Sequence, residues 1–134
     1  MQTQFLHARP EYVHDAILSV LGSLFPTVTA ACLTGPERGN QAVAWMRQAG
    51  MYVMCVRFDI SQHQAARCFR RDRTTVRHAI ELVGGLIAGD PTTAALIDML
   101  EAHARTRLAA VEADEAIAGV LPALRAGWAQ VMHG

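Results

Sequence analysis

SQHQAARCFRRDRTTVRHAIELVG, residues Ser61 to Gly84, carries two helix starts in close succession. Ser61 followed by Gln64 has the capping-box spacing: the serine hydroxyl takes the N–H three residues on, and the glutamine side chain returns to the serine N–H. A helix is therefore predicted from Gln62, through Ala65, Ala66 and Phe69. Arg70-Arg71-Asp72 interrupts the apolar pattern, and Asp72 is a good cap for a second helix beginning at Arg73. Two helices joined by so tight a turn predict a helix-turn-helix.

Laid out at about 100° per residue, the second helix places Val76, Ala79, Ile80, Val83 and Ile87 on one flank. Arg73, Thr74, Arg77, His78 and Glu81 share a separate arc of about 140°. One side suits a core. The other offers guanidinium, hydroxyl and imidazole groups of the kind that read base edges in the major groove, which admits an α-helix. The same stripe is also what a solvated face of an ordinary helical hairpin looks like, and by itself it does not choose between the two.

Outward from this segment the chain reads as helical throughout. Glu11 to Phe25 carries Val13, Ile17, Leu18, Leu21, Leu24 and Phe25 at helical spacing, and Pro26 ends the run. A short helix is expected from Val28 to Leu33, capped by Thr27 and closed by Gly35-Pro36, with Glu37 to Asn40 as a polar turn. Gln41 to Phe58 reads as one long helix with Val43, Met46, Met51, Met54 and Val56 toward the core. Gly50 inside it costs about 1 kcal/mol against Ala and points to a close helix contact. Gly84-Gly85 is a candidate end or kink of the second helix of the motif. Asp90 caps, and Pro91 starts, a further helix to about Val111. A last segment, Asp114 to Val131, is expected to break at Gly119 and Pro122. Its apolar stripe, Ala116, Ile117, Val120, Leu121, Leu124 and Trp128, either packs back on the first helix or makes a homodimer. No strand alternation or internal repeat is present.

At 134 residues the chain is long enough to bury one core without staples. No run reaches the roughly 18 uncharged apolar residues of a membrane span, and the N-terminal segment has no export signal, so a cytoplasmic protein without membrane partners is expected. Cys32, Cys55 and Cys68 are widely spaced in helix-like apolar sequence and are read as buried free thiols; no paired spacing suits a metal. The six His residues, at 7, 14, 63, 78, 103 and 133, form no acid–base constellation, and no nucleotide-binding Walker motif is present. The chain is thus predicted to be neither an enzyme nor a holder of cofactor or metal.

A formal net charge of zero hides a division along the chain. Between Arg47 and Arg77 seven Arg oppose Asp59 and Asp72, a local balance of +5, while from His78 onward three Arg oppose seven acids. All twelve basic residues are Arg, which suits bidentate recognition of phosphate or guanine.

The run RQAGMYVMCVRFDISQHQAARCFRRDRTTVRHAIELV, Arg47 to Val83, resembles the C-terminal DNA-binding domain (domain IV) of the bacterial chromosomal replication initiator DnaA. The matching positions are Arg47-Gln48, Met51-Tyr52, Ser61, Phe69, Arg71-Asp72, Thr74-Thr75-Val76 and His78-Ala79. The likeness extends loosely over residues 1–113 and leaves 114–134 as a helical extension. It implies an all-α, Trp-repressor-like helix-turn-helix bundle with extra C-terminal helices, binding a short box in double-stranded DNA as a regulator of transcription or replication. It further implies that Arg47 enters the minor groove and that Arg71, Asp72, Arg73, Thr74 and Thr75 lie at phosphates and major-groove edges. With the polar arc, the candidate DNA-contacting residues are Arg47, Ser61, Gln62, Arg70, Arg71, Asp72, Arg73, Thr74, Thr75, Arg77 and His78. Three features depart from the family: no ATPase domain is present, the basic loop is reduced to Glu37-Arg38, and Arg70 and Arg73 replace a Gly and a His. Arg73 is expected to favour a guanine where the family's His reads another base. The alternative is a protein-interaction module that kept the fold and lost DNA binding.

Overall fold

The computed structural model describes residues 6–36 and 40–133, and among them every regular element is helical. A 3₁₀ turn over residues 6–8 leads into α1 (Pro10–Leu24), with proline at the position where its missing N–H costs nothing. Then come α2 (Ala30–Thr34), α3 (Gln41–Tyr52), a π-helical turn (Val53–Arg57), α4 (Gln62–Phe69), α5 (Arg73–Gly89) and α6 (Pro91–His133). Polar caps fix five of the starts, those of α2 to α6. The Asn40 side chain accepts from the Val43 N–H at 2.9 Å, and Asp90 accepts from the Thr92 N–H at 3.1 Å and the Thr93 hydroxyl at 2.8 Å. The caps of α4 and α5 belong to the candidate interface.

The core gathers Val13, Ile17 and Leu21 of α1, Met46 and Met51 of α3, Val53 and Met54 of the π turn, Phe69 of α4, Val76, Ala79 and Val83 of α5, and Ile97, Leu100, Ala104 and Leu108 of α6. Phe69 is fully buried at the meeting of three helices. Gly50 makes room for it: a Cβ there would stand 3.0 Å from Phe69 Cζ and 3.4 Å from Ile17 Cγ2, which accounts for the glycine expected to allow a close contact.

The first half of α6 is held by charge as well as burial. Arg57 reaches from the π turn to Glu101 at 2.7 Å and Asp98 at 3.0 Å. Arg105 donates to Glu101 and to the Arg57 carbonyl, both at 2.8 Å, with its guanidinium over the Phe58 ring. Further along, the buried Glu112 accepts the Leu6 N–H at 3.0 Å, and the Tyr12 hydroxyl donates to Glu115 at 3.2 Å. Past this point, among the described side chains, no residue of α6 is buried.

Several expectations are corrected. The short helix starts at Ala30, not Val28, because Thr29 rather than Thr27 supplies the cap, its hydroxyl accepting the Cys32 N–H at 3.2 Å. The long helix ends at Tyr52 and passes into the π turn, where Phe58 N–H donates to Val53 O; the extra residue turns Val56 out to 46 % exposure instead of toward the core. Gly84-Gly85 neither ends nor kinks α5, since packing on α3 sustains it, with Tyr52 lying against Gly84. Gly119 and Pro122 do not break the last segment, so the expected C-terminal helices are one helix, and residues 113 and 114 both lie inside it. Nucleation is complete in the anchored half, and propagation then needs less per residue. The stripe from Ile117 does not pack back on α1. Cys32 is exposed on the outer side of α2, and Cys55 and Cys68 are half-buried, so the thiols are not all core groups. The polar turn placed at Glu37 to Asn40, with its Glu37-Arg38 loop, lies outside the described residues except for Asn40.

Candidate nucleic-acid interface

The candidate surface is assembled where α3, α4 and α5 meet. Ser61 caps α4 by accepting the Gln64 N–H at 3.1 Å; its hydroxyl also donates to the Gln64 side-chain oxygen at 3.1 Å, so the glutamine turns to the hydroxyl and not to the serine N–H. The helix closes on Arg70, which adopts the left-handed conformation at φ 56° and ψ 45°. Arg71 N–H then bonds back to Ala66 O at 3.0 Å, and its guanidinium donates to the carbonyls of Phe69 and Arg70. Glycine is the usual residue at such a closure because a Cβ costs about 1–2 kcal/mol there. An arginine at 70 therefore holds an exposed cation at the turn in spite of backbone strain.

Asp72 restarts the chain. Its carboxylate accepts the Thr75 N–H at 2.8 Å, and this bond holds its pKa below the usual aspartate value. From Arg73 onward α5 divides as its periodicity predicts, with Val76, Ala79 and Val83 buried and Arg73, Thr74, Arg77, His78 and Glu81 exposed. Gln62 joins Arg73, Thr74 and Arg77 around a shallow groove between the starts of α4 and α5.

A second hollow lies between α3 and α5, bordered by Arg47, Gln48, Met51, Arg71, Thr75 and His78. Thr75 is exposed here and its N–H is taken by the Asp72 cap, so it stands at the helix start and not on the outward arc. Arg47 differs from the position implied by the resemblance. It is 5 % exposed, and its guanidinium donates to Leu33 O at 2.7 Å and Cys32 O at 2.9 Å, clamping the end of α2. Burial, and then repulsion from Arg71, lowers its pKa. Gln48, half-buried, borders this hollow and is not among the sequence candidates; Met51, which also lines it, is a fully buried core side chain. Arg47 and Met51, four residues apart, lie on one face of α3, and Gln48, three residues before Met51, is on the edge of that face.

The local balance of +5 is not all presented at this surface. Arg57 is neutralised by Asp98 and Glu101, and Arg47 is buried, which leaves Arg67, Arg70, Arg71, Arg73 and Arg77 on or beside α4 and α5. Among the described residues no cluster of three or more His, Cys, Asp or Glu is placed to hold a metal, and no helix is long and apolar enough to cross a membrane. Comparisons with protein families, with characterised proteins and with solved structures find no match for this chain.

Proposed function

We propose that this protein is a sequence-specific, double-stranded DNA-binding regulator of transcription or replication, acting in the cytoplasm. In this reading α4 and α5 work as a helix-turn-helix, with the first turns of α5 in the major groove. The observation that carries it is the outward face of α5. Arg73, Thr74, Arg77 and His78 stand exposed at the start of a helix whose opposite side is sealed in the core, with Arg70 and Arg71 flanking it at the turn. A helix about 10–12 Å across fits a groove about 12 Å wide, and Arg and Thr in its first turns are the groups that read base edges there. Arg70 and Arg67 serve phosphates, which position the domain without reading sequence. Arg47 supports the surface by fixing α2 against α3.

The resemblance to the initiator's DNA-binding domain supports sites related to its box, with a guanine opposite Arg73. Titration with duplex should show log K falling with log[salt] at a slope near −0.9 per phosphate neutralised, so about −3 to −5 for the exposed arginines. Sequence selection on the wild type and Arg73→His tests the base contact: a reader shifts preference at one position by about 1–3 kcal/mol, whereas a phosphate clamp weakens all sequences alike. No duplex binding at about 50 mM salt would instead give the fold to a protein-interaction module.

A further inference from the structure

The distal half of α6 presents a surface that DNA binding leaves unused. Ile117, Leu121, Leu124, Trp128 and Val131 recur at alternating spacings of four and three residues, the heptad seam of a coiled coil. Val120 and Met132 flank it. Ile117, Leu124, Trp128 and Val131 are 55, 61, 68 and 75 % exposed. At about 100° per residue the seam lies on the side of α6 opposite Ile97, Ala104 and Leu108, so it faces away from the domain's own core.

This stretch is also poorly suited to stand alone in water as a helix. It contains Gly119, Pro122 and Gly127, residues with low helix propensity, and Arg125 is its only Asp, Glu, Lys or Arg between Ala116 and Met132. Charge pairs along the helix, the usual support of an exposed segment, are therefore missing.

We infer that the seam pairs with the same seam of a second copy, antiparallel, about a two-fold axis between Leu121 and Leu124. The charges select this occupant and direction. A seam without acids or a basic cluster gives an oppositely charged partner or a phospholipid headgroup little to hold beyond Arg125, whereas two uncharged seams meet without repulsion. A parallel pair would set Asp114 against Asp114 at the start of the contact, two like charges facing each other. The antiparallel pair sets Ile117 against Trp128 and Leu121 against Leu124, twice each, and moves Asp114 to the ends of the contact. The contact spans about 22 Å of helix and removes roughly 1,000 Å² in total from water, the lower limit of a specific interface. A contact at that lower limit suits a reversible dimer, and the inference is independent of what α5 binds.

Sedimentation equilibrium of the full chain over about 1–100 µM should show a monomer passing to a dimer. Leu124→Glu and Trp128→Glu, at exposed positions that leave the core intact, should each weaken association at least tenfold. Mixed and oxidised, Ile117→Cys and Trp128→Cys chains in which the native Cys32, Cys55 and Cys68 are replaced by Ser should form a disulfide-linked pair that neither forms alone. A wild-type monomer at 100 µM, a dimer unaffected by both glutamates, linking of Trp128→Cys to itself, or monomers that co-sediment with anionic phospholipid vesicles would each overturn the proposal.

Discussion

Helices α5 and α6 each bury one side in the same core and turn the other outward, but their outward sides are chemically opposite. On α5 that side holds Arg73, Thr74, Arg77, His78 and Glu81; on the distal half of α6 it holds Ile117, Leu124, Trp128 and Val131. Exposure alone therefore says little about purpose. A polar exposed face is at home in water and becomes a binding surface only through its placement, here at a helix start beside a cationic turn. An apolar exposed face is costly in water, and its existence calls for a cover.

The comparison requires the two faces to rest on separate supports. Phe69→Ala, under the turn between α4 and α5, should cost about 3–5 kcal/mol in urea unfolding and abolish ordered presentation of α5. Truncation after Glu115, which keeps the Glu112 and Tyr12 ties, should leave the unfolding free energy nearly unchanged while removing self-association. A truncation that unfolds the domain would show that the distal helix belongs to the core after all.

Arg70→Gly sharpens the account of the polar face. Relief of the left-handed strain should raise stability by about 1 kcal/mol, and loss of the guanidinium should lower duplex affinity. Opposite signs in thermal unfolding and DNA titration are expected, and unchanged affinity would remove Arg70 from the interface.

The smallest effect concerns the support itself. His14 is buried edge-on against Phe69, its Nε2 has no hydrogen-bond partner among the described residues, and burial pushes its pKa below 6.5. The unfolded chain then binds the proton more readily than the folded one. Its contribution to stability is complete above pH 6.5 and declines as the pH falls below that value toward the lowered folded pKa. His14→Leu should flatten the dependence of the unfolding midpoint on pH just below 6.5, and a slope equal to wild type would exclude His14 as its source.

Local chemistry made much of this legible in the residues. Ser61, Asp72 and Asp90 mark helix starts because a cap bonds an N–H only two or three residues away, and the period of Val76, Ala79 and Val83 marks a buried side because helix geometry is the same everywhere. Gly50 announced a close contact, but its partner Phe69 was not nameable, since eighteen residues of chain lie between them. The π turn that exposes Val56 and the burial of Arg47 on the carbonyls of α2 were settled by packing among distant segments, which overrides local preference when enough surface is buried, while the left-handed Arg70 is held by bonds from Arg70 and Arg71 back to Ala66. The same holds at the Gly84-Gly85 pair. There Tyr52 packs from α3 beside Gly84, whereas at Gly119 and Pro122 the chain alone predicts a break and the anchored first half of α6 carries the helix past it.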